Sequence, residues 1–201
     1  MSLYQLKPAF QGLLRPLVRG LAQAGVTANQ VTLAAAAVSI ALGAWLCQTG
    51  IARAWFLLLP AWFLLRMAFN AVDGMLAREH HQQSPLGAYL NELSDVISDS
   101  ALHLPFAFVA PFGWAGVGAV ILAAALCEYA GVLGLMVGAT RRYDGPMGKS
   151  DRALVFGALG LWLGLAGALP AWMAWLMPLL LVLITFTLIN RVRHGLAEGA
   201  R

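Results

Sequence analysis

Charged residues are scarce in this sequence, and their scarcity excludes the commonest class of protein. Lys, Arg, Asp and Glu make up 11% of the 201 residues, whereas a soluble domain has about a quarter. Hydrophobic residues reach 60%, and apolar segments of roughly 18 to 25 residues, the length that a bilayer core requires, recur along the chain. The composition therefore predicts an all-α integral membrane protein.

Cysteine is equally scarce. The two cysteines, Cys47 and Cys127, lie in apolar runs without paired spacing, which indicates small core residues and excludes a disulfide framework or a cysteine metal site. No cleavable signal peptide is predicted, because the first long apolar run begins only near Val31.

Basic residues lie at the ends of the apolar segments. They precede the first segment, occur in the polar connection 74–87, cluster in 140–152 and follow the last segment, and only Arg53 falls on the opposite side. Under the positive-inside rule, both termini and both basic loops are expected on the cytoplasmic side of the cytoplasmic (inner) membrane. Beside a membrane such clusters more often orient helices or contact anionic headgroups than bind nucleic acid, so no nucleic-acid partner is predicted.

The apolar pattern divides the chain into three parts. Residues 1–25 are expected to form an amphipathic helix in the membrane interface, kinked or divided by Pro8 and Pro16. A flexible basic tail is the alternative. Residues 26–195 are predicted to form six transmembrane helices with both ends on one side, followed by a short tail, 196–201.

Acidic residues concentrate in the stretch 66–99. Carboxylates are costly in a membrane and are usually kept there for an ion, a proton or a substrate. Residues three and four apart share a face of a helix, so this stretch predicts one polar stripe at the end of the second span and another at the start of the third. The first consists of Arg66, Asn70, Asp73 and Ala77, and the second of Asn91, Asp95 and Asp99.

The two stripes are expected to face each other, because a short connection makes the two helices antiparallel neighbours. Oxygen ligands from two helices suit a hard cation such as Mg²⁺ or Mn²⁺. Gly74 permits close backbone approach, and Arg78 places a cation where a phosphate on that metal would lie. This equipment is typical of phosphoryl or nucleotidyl-type transfer. A buried polar network between two helices and an ion pathway are the alternatives.

At these residues the sequence resembles the CDP-alcohol phosphatidyltransferases, whose motif runs Asp-x₂-Asp-Gly-x₂-Ala-Arg-x₈-Gly-x₃-Asp-x₃-Asp. Every spacing holds, and only the first and third acids differ. The Asn29-x₂-Thr32 entry to the first span is also similar. The motif here is Asn70-x₂-Asp73-Gly74-x₂-Ala77-Arg78-x₈-Gly87-x₃-Asn91-x₃-Asp95.

The resemblance implies a transferase of phospholipid biosynthesis. Such enzymes move a phosphatidyl-type group from a CDP-linked lipid, usually CDP-diacylglycerol, to an alcohol acceptor and release CMP. It further implies a homodimer and a Mg²⁺ or Mn²⁺ site, with Asp95 also acting as the general base. By position, the metal ligands are Asn70, Asp73, Asn91 and Asp95, and the nucleotide-binding residues are Asp73, Gly74, Ala77, Arg78 and Gly87.

The two departures remove charge from the metal site. An amide oxygen at Asn70 or Asn91 can coordinate a cation but contributes no charge, so two metals are harder to hold. Glu92 and Asp99 are possible compensations, and Asp99 is better placed because it extends the stripe of Asn91 and Asp95 by one turn. Three explanations stay open. The protein is an active transferase with one tightly held metal, or with two held partly by Asp99; or its donor or acceptor supplies some of the missing charge; or it is a degenerate member that binds nucleotide-lipid without turnover. An ion-conducting helical bundle is the non-enzymatic alternative.

Other polar residues carry further predictions. The basic loop could hold an anionic acceptor such as an alcohol phosphate, although topology explains its charges equally well. His80 and His81 indicate a solvated turn, His103 a satisfied buried hydrogen bond, and Glu128 an ion pair with Arg66. The candidate acceptor residues are Arg141, Arg142, Lys149, Ser150 and Arg152.

Overall fold

The protein is described here by a computed structural model that covers residues 3–48 and 51–200, with side-chain surroundings from Phe10 onward. These residues form seven α-helices and no strand, so the predicted all-α class is confirmed. The helices are α1 (Leu3–Gln23), α2 (Ala28–Leu46), α3 (Leu58–Glu79), α4 (Pro85–His103), α5 (Trp114–Leu133), α6 (Lys149–Ala166) and α7 (Leu176–Gly199). Short 3₁₀ segments extend four of them: Arg53–Leu57, Leu104–Phe108, Gly134–Val137 and Ala171–Trp175.

Local sequence signals set the helix ends near the polar connection. The Thr27 hydroxyl accepts a hydrogen bond from the Gln30 amide at 3.2 Å, and the Gln30 side chain accepts one from the Thr27 amide at 2.9 Å. This reciprocal pair caps α2. The Ser84 hydroxyl caps α4 by accepting from the Gly87 amide at 3.0 Å, and Pro85 occupies the first turn, where its missing N–H has no cost.

Helix α1 is amphipathic, and its prolines do not divide it. The segment Leu3–Gln23 is one helix, although Pro8 and Pro16 were expected to interrupt it. Its buried Val18 packs with Val72 and Leu76 of α3, while Leu13 on the other face is 76% exposed. An apolar outer face agrees with a helix lying in the membrane interface, which stays a prediction.

The remaining six helices pack as an antiparallel bundle. Helix α2 contacts α3 and α4, and α5 contacts α7. Helix α6 contacts α3 and the 3₁₀ segment Arg53–Leu57, which precedes α3. Aromatic residues fill the centre, with the ring of Phe106 5.4 Å from that of Phe56 and 5.3 Å from that of Phe156. Gly160 lets α6 approach closely, because a Cβ there would lie 2.9 Å from the Phe56 carbonyl oxygen.

Four segments are long and apolar enough to cross a membrane: Ala28–Leu46, Arg53–Glu79, Trp114–Val137 and Ala171–Gly199. Helices α4 and α6 do not reach that standard, since each carries three charged side chains within 19 and 18 residues. Those same charges form the site described below. The six predicted spans are therefore supported for four helices, and the other two stay a prediction.

The C-terminal helix continues past the predicted boundary at residue 195. Helix α7 extends to Gly199, and the Glu198 side chain accepts a hydrogen bond from the Thr140 amide at 3.0 Å. The residues assigned to a tail thus belong to the packed helix as far as the structure describes them. Arg201, and the Thr49-Gly50 end predicted for the first span, lie outside the described residues.

Candidate active site

Two cavities adjoin at one end of the bundle, where α2, α4 and α6 begin and α3, α5 and α7 end. The motif cavity, of about 420 Å³, lies between α2, α3, α4 and the 80–84 turn. The loop cavity, of about 300 Å³, lies between α4, α5, α7 and the 140–152 region. Asn91 lines both cavities, so a molecule in one would contact a molecule in the other near this residue.

The motif cavity collects most of the residues that the sequence singled out. Residues of both polar stripes line it, as expected if α3 and α4 are antiparallel neighbours. Asp95 and Asp99 do not line it. The predicted residues that do are Asn70, Asp73, Gly74, Ala77, Arg78, Gly87 and Asn91.

Asp73 is the buried carboxylate of the motif cavity. Its residue is 6% exposed, and the Thr32 hydroxyl donates a hydrogen bond to its Oδ2 at 2.8 Å. Among the described residues it has no cationic partner within 4.0 Å. In the sequence Thr32 stands out only as part of the family-like entry to α2. Its contact with Asp73 cannot be deduced there, because 41 residues separate the two.

Arg78 is the cation of the same cavity. It is exposed and lines the cavity, and no acidic group of the described chain lies within ion-pair distance. A Cβ on Gly74 would lie 3.0 Å from an Arg78 guanidinium nitrogen. Glycine at position 74 therefore leaves room for the guanidinium to lie over the turn of α3 that carries Asp73.

Gly87 lets the starts of α2 and α4 come together. A Cβ at this position would lie 2.9 Å from the Asn29 side-chain oxygen and 3.1 Å from the Ser84 hydroxyl. The Gln82 side chain also accepts a hydrogen bond from the Ala28 amide at 2.7 Å. The 80–84 turn is thus tied to α2, and Asn29 joins the cavity wall.

Asp95 lies in the loop cavity and is already paired with cations. Its carboxylate is 2.5 Å from Lys149 Nζ and 3.1 Å from an Arg66 guanidinium nitrogen. The proposed general base therefore stands at the border of the two cavities, one helical turn from Asn91, with its charge balanced by the chain itself.

Asp99 is held in a buried ion-pair network. Its residue is 6% exposed, one carboxylate oxygen pairs with Arg66, and the other is 3.5 Å from Arg152. It lines neither cavity. Its predicted role as a compensating metal ligand stays untested, while the contacts assign both of its oxygens to arginines.

Glu128 is the centre of that network, and its predicted partner was wrong. Arg66 pairs with the acids of α4, whereas Glu128 contacts three other arginines. The distances are 2.8 Å to Arg152, 3.1 Å to Arg191 and 3.5 Å to Arg141. The sequence places Arg191 only among the basic residues that follow the last span, because it does not distinguish a buried arginine from one that sets the orientation in the membrane.

The candidate acceptor residues separate into three groups. Arg141, Lys149 and Ser150 line the loop cavity. Arg152 is 1% exposed and lies behind it, where it also donates to the Met147 carbonyl oxygen at 3.2 Å. Arg142 points away and pairs with Asp144 and Glu198.

His103 and the two cysteines lie outside both cavities. His103 is buried and stacks on Phe156 at 3.8 Å between ring centroids, but neither ring nitrogen has a hydrogen-bond partner among the described residues, so the expected hydrogen bond is absent. Both cysteines are free, as predicted. No three His, Cys, Asp or Glu side chains within 3–48 and 51–200 come together as a metal cluster.

These features define a class before they define a family: an apolar helical protein with one cavity that brings an exposed arginine close to carboxylate and amide oxygens. The family model of CDP-alcohol phosphatidyltransferase matches residues 25–195. The chain belongs to the CDP-alcohol phosphatidyltransferase family, and is thereby an enzyme of the phosphatidyltransferase type.

Relatives and solved structures agree with this membership. The inner membrane protein YnbA of Escherichia coli (strain K12) is 48% identical over all of this chain and 99% of its own length. The phosphatidylinositol phosphate synthase of Corynebacterium glutamicum is 29% identical over 83% of this chain and 75% of its own. With the apolar helices, the first relative supports a membrane location.

The fold matches a phosphatidylinositol phosphate synthase, PgsA1, of Mycobacterium tuberculosis. Its complex with manganese and citrate superposes with a TM-score of 0.71, covering 90% of this chain and 88% of that one. Its structure with CDP-DAG bound gives 0.72, covering 90% and 92%. Identity is 22% in both, so the likeness establishes the fold.

Proposed function

We propose that this enzyme transfers a phosphatidyl group from a CDP-linked lipid, CDP-diacylglycerol, to an alcohol and releases CMP. The observation that carries the proposal is the adjacency of the two cavities at Asn91. The motif cavity has an exposed arginine and oxygen ligands that suit the diphosphate of the donor. The loop cavity has a carboxylate and polar side chains that suit an acceptor. A protein of the same fold was solved with CDP-DAG bound, which supports this donor.

In the motif cavity, the chain would bind the cytidine and diphosphate of the donor. Gly74, Ala77 and Gly87 keep the walls free of bulky side chains, and the exposed Arg78 donates to a phosphate oxygen. Asp73 contributes the negative charge of the cavity.

The oxygen ligands in and beside the motif cavity suit a divalent cation. Asn70, Asp73 and Asn91 line the motif cavity and Asp95 stands one turn beyond, a set of carboxylate and amide oxygens that suits Mg²⁺ or Mn²⁺. Two carboxylates support one such ion better than two. When bound, the ion neutralises the phosphate oxygens of the donor and stabilises the charge of the leaving CMP. The related fold solved with manganese supports the assignment.

The chain's part in the reaction is to place the acceptor and take its proton. The acceptor hydroxyl oxygen attacks the phosphorus bonded to the diacylglycerol, and a new P–O bond forms. The P–O bond that joins this phosphorus to CMP breaks, so CMP leaves with the electron pair. Asp95 takes the hydroxyl proton, and Arg66 and Lys149 hold its carboxylate at the border of the cavities.

The test is the isosteric variant Asp95→Asn. Purified protein with Mg²⁺ or Mn²⁺, CDP-diacylglycerol and a panel of alcohols should release CMP, and the variant should lose about 10²- to 10⁴-fold of that rate. Asp144→Asn, the same change outside both cavities, should keep it. CMP release by Asp95→Asn at the wild-type rate would rule out this base.

A second candidate is a family member that binds nucleotide-lipid without turnover. Asn70 and Asn91 favour it, since two charges of the family motif are absent. That protein would bind CDP-diacylglycerol, measured by calorimetry in detergent, yet release no CMP with any alcohol in the panel.

The topology and assembly belong to the same proposal. We place α4 and α6 across the membrane with the four apolar segments, the site and both termini on the cytoplasmic side, and the chain in a homodimer. Labelling of single introduced cysteines from one side of sealed vesicles tests the orientation, and the mass of the detergent-solubilised protein tests the dimer.

A further inference from the structure

Every cation that lines the loop cavity is paired with a carboxylate of the chain itself. Arg141 is 2.6 Å from Glu92, Lys149 is 2.5 Å from Asp95, and Arg191 is 3.1 Å from Glu128. The cavity is therefore rich in charged groups, but the positive and negative charges on its wall balance. Each guanidinium or ammonium group that lines it already has a carboxylate of the chain as its counter-ion.

The wider network has the same balance. Five cationic side chains and five carboxylates line the loop cavity or belong to the ion-pair network connected to its wall. The cations are Arg66, Arg141, Lys149, Arg152 and Arg191, and the carboxylates are Glu92, Asp95, Asp99, Glu128 and Asp151.

The motif cavity shows what an anion site in this chain looks like. There Arg78 is exposed and has no acid of the described chain within 4.0 Å. A phosphate monoester carries nearly two charges and is bound through charge-assisted hydrogen bonds from cations that are free to donate. The loop cavity does not offer such cations.

We propose, on the basis of the transferase function above, that the acceptor is an alcohol without a phosphate group. Glu92 selects it, because this carboxylate occupies Arg141 and denies that guanidinium to a phosphorylated alcohol. Glu92 contacts Arg141 but does not line the cavity, so it is a specificity-determining residue that acts through another side chain.

Binding of a cation at Asp95 does not remove this selection. It could release Lys149 from its partner, but Arg141 would stay with Glu92, and one lysine would face the dianion. A phosphate that displaced Glu92 would leave a carboxylate beside it, and such like-charge contact is a common means of rejecting a wrong ligand.

The uncharged groups of the cavity suit hydroxyls. Tyr143 is 68% exposed and lies under the Arg141 guanidinium at 4.2 Å from its ring centroid. Ser150 and Asn91 add a hydroxyl and an amide to the wall. A volume of about 300 Å³ accommodates a small polyol or amino alcohol.

The experiment compares matched acceptors on the purified full chain with Mn²⁺ and CDP-diacylglycerol. CMP release is measured with glycerol against glycerol 3-phosphate and with inositol against inositol 1-phosphate. Wild type should prefer the unphosphorylated member of at least one pair. Glu92→Gln should shift the kcat/KM ratio towards the phosphorylated member by about tenfold or more, the value of a freed charge-assisted bond. Glu92→Asp should restore the wild-type ratio.

Glu79→Gln is the matched control, because Glu79 pairs with Arg15 outside both cavities and its loss should leave the ratio unchanged. Preference of wild type for both phosphorylated acceptors, or an unaltered ratio in Glu92→Gln, would overturn the proposal. Shifts of equal size in both variants would do the same.

A binding measurement separates this inference from the transferase function. Calorimetry with inorganic phosphate, at saturating cytidine diphosphate to fill the motif cavity, should show no binding to wild type and measurable binding to Glu92→Gln. If no acceptor yields CMP, the transferase proposal fails, and this measurement still decides the charge selection: tight phosphate binding by wild type refutes it.

Discussion

The motif cavity and the loop cavity adjoin, yet they balance charge in opposite ways. In the motif cavity, the buried carboxylate of Asp73 has a hydroxyl as its partner, and Arg78 has no carboxylate within 4.0 Å among the residues that the structure describes. In the loop cavity, Lys149 and Arg141 are each held by an internal carboxylate. One region keeps its charges available, and the other neutralises them.

This difference indicates what each region is for. An unpaired buried charge costs several kcal/mol, about 3–5 when a partner is removed, so a chain keeps one where a ligand will supply the opposite charge. A fully paired network instead holds helices in register and positions neighbouring groups. This contrast supports the proposal that the charged diphosphate of the donor binds in the motif cavity and a neutral acceptor in the loop cavity.

The largest effect should come from breaking the paired region. Glu128→Ala leaves Arg152 and Arg191 buried without their shared carboxylate, which should lower the free energy of unfolding by about 3–5 kcal/mol. Thermal unfolding in detergent, followed by tryptophan fluorescence, measures it. Glu79→Ala breaks an exposed pair with Arg15 and should cost no more than about 1 kcal/mol. Equal losses in the two variants would contradict a structural role for the buried network.

An intermediate effect should come from restoring charge to the unpaired region. Asn91→Asp and Asn70→Asp recreate the acids of the family motif, and each should lower the Mn²⁺ concentration for half-maximal CMP release by about tenfold, as expected for one added charge near a cation. Asn29→Asp adds the same charge to the cavity wall outside the motif. If Asn29→Asp tightens Mn²⁺ binding as much as the motif variants do, the motif positions are not the ligands.

The smallest effect concerns a partly buried pair beside the loop cavity, Arg142 and Asp144. Arg142 donates two hydrogen bonds to Asp144, at 2.8 and 2.9 Å, and they lower the pKa of this carboxyl from 3.8 to about 2. A carboxyl whose pKa is lower in the folded state stabilises the fold above its unfolded pKa, and this contribution disappears as the pH falls through the folded value.

Stability of wild type should therefore exceed that of Asp144→Asn by a constant margin above about pH 5, and the margin should shrink towards about pH 2. Unfolding temperatures measured across that range provide the comparison. A margin that does not change with pH would show that the pair adds nothing through ionisation.

The predictability of the site depended on how its residues are connected in sequence. The motif lies in one continuous stretch, and helix periodicity with a short connection sufficed to bring Asn70, Asp73 and Asn91 to one cavity. The same reasoning failed for Glu128, whose partner was predicted to be Arg66. Its partners Arg152 and Arg191 lie 24 and 63 residues away, and periodicity carries no information about pairs so distant.

By itself the sequence determined the helical class, the membrane character and the family, because apolar length, local capping and motif spacing are properties of neighbouring residues. Only the tertiary structure decided which charges are neutralised. Within the described part of the chain, Asp73 has no cationic partner, whereas Asp95, Asp99 and Glu128 do, because of the helices that pack beside each of them. Coulomb energy acts between neighbours in space, whatever their separation along the chain.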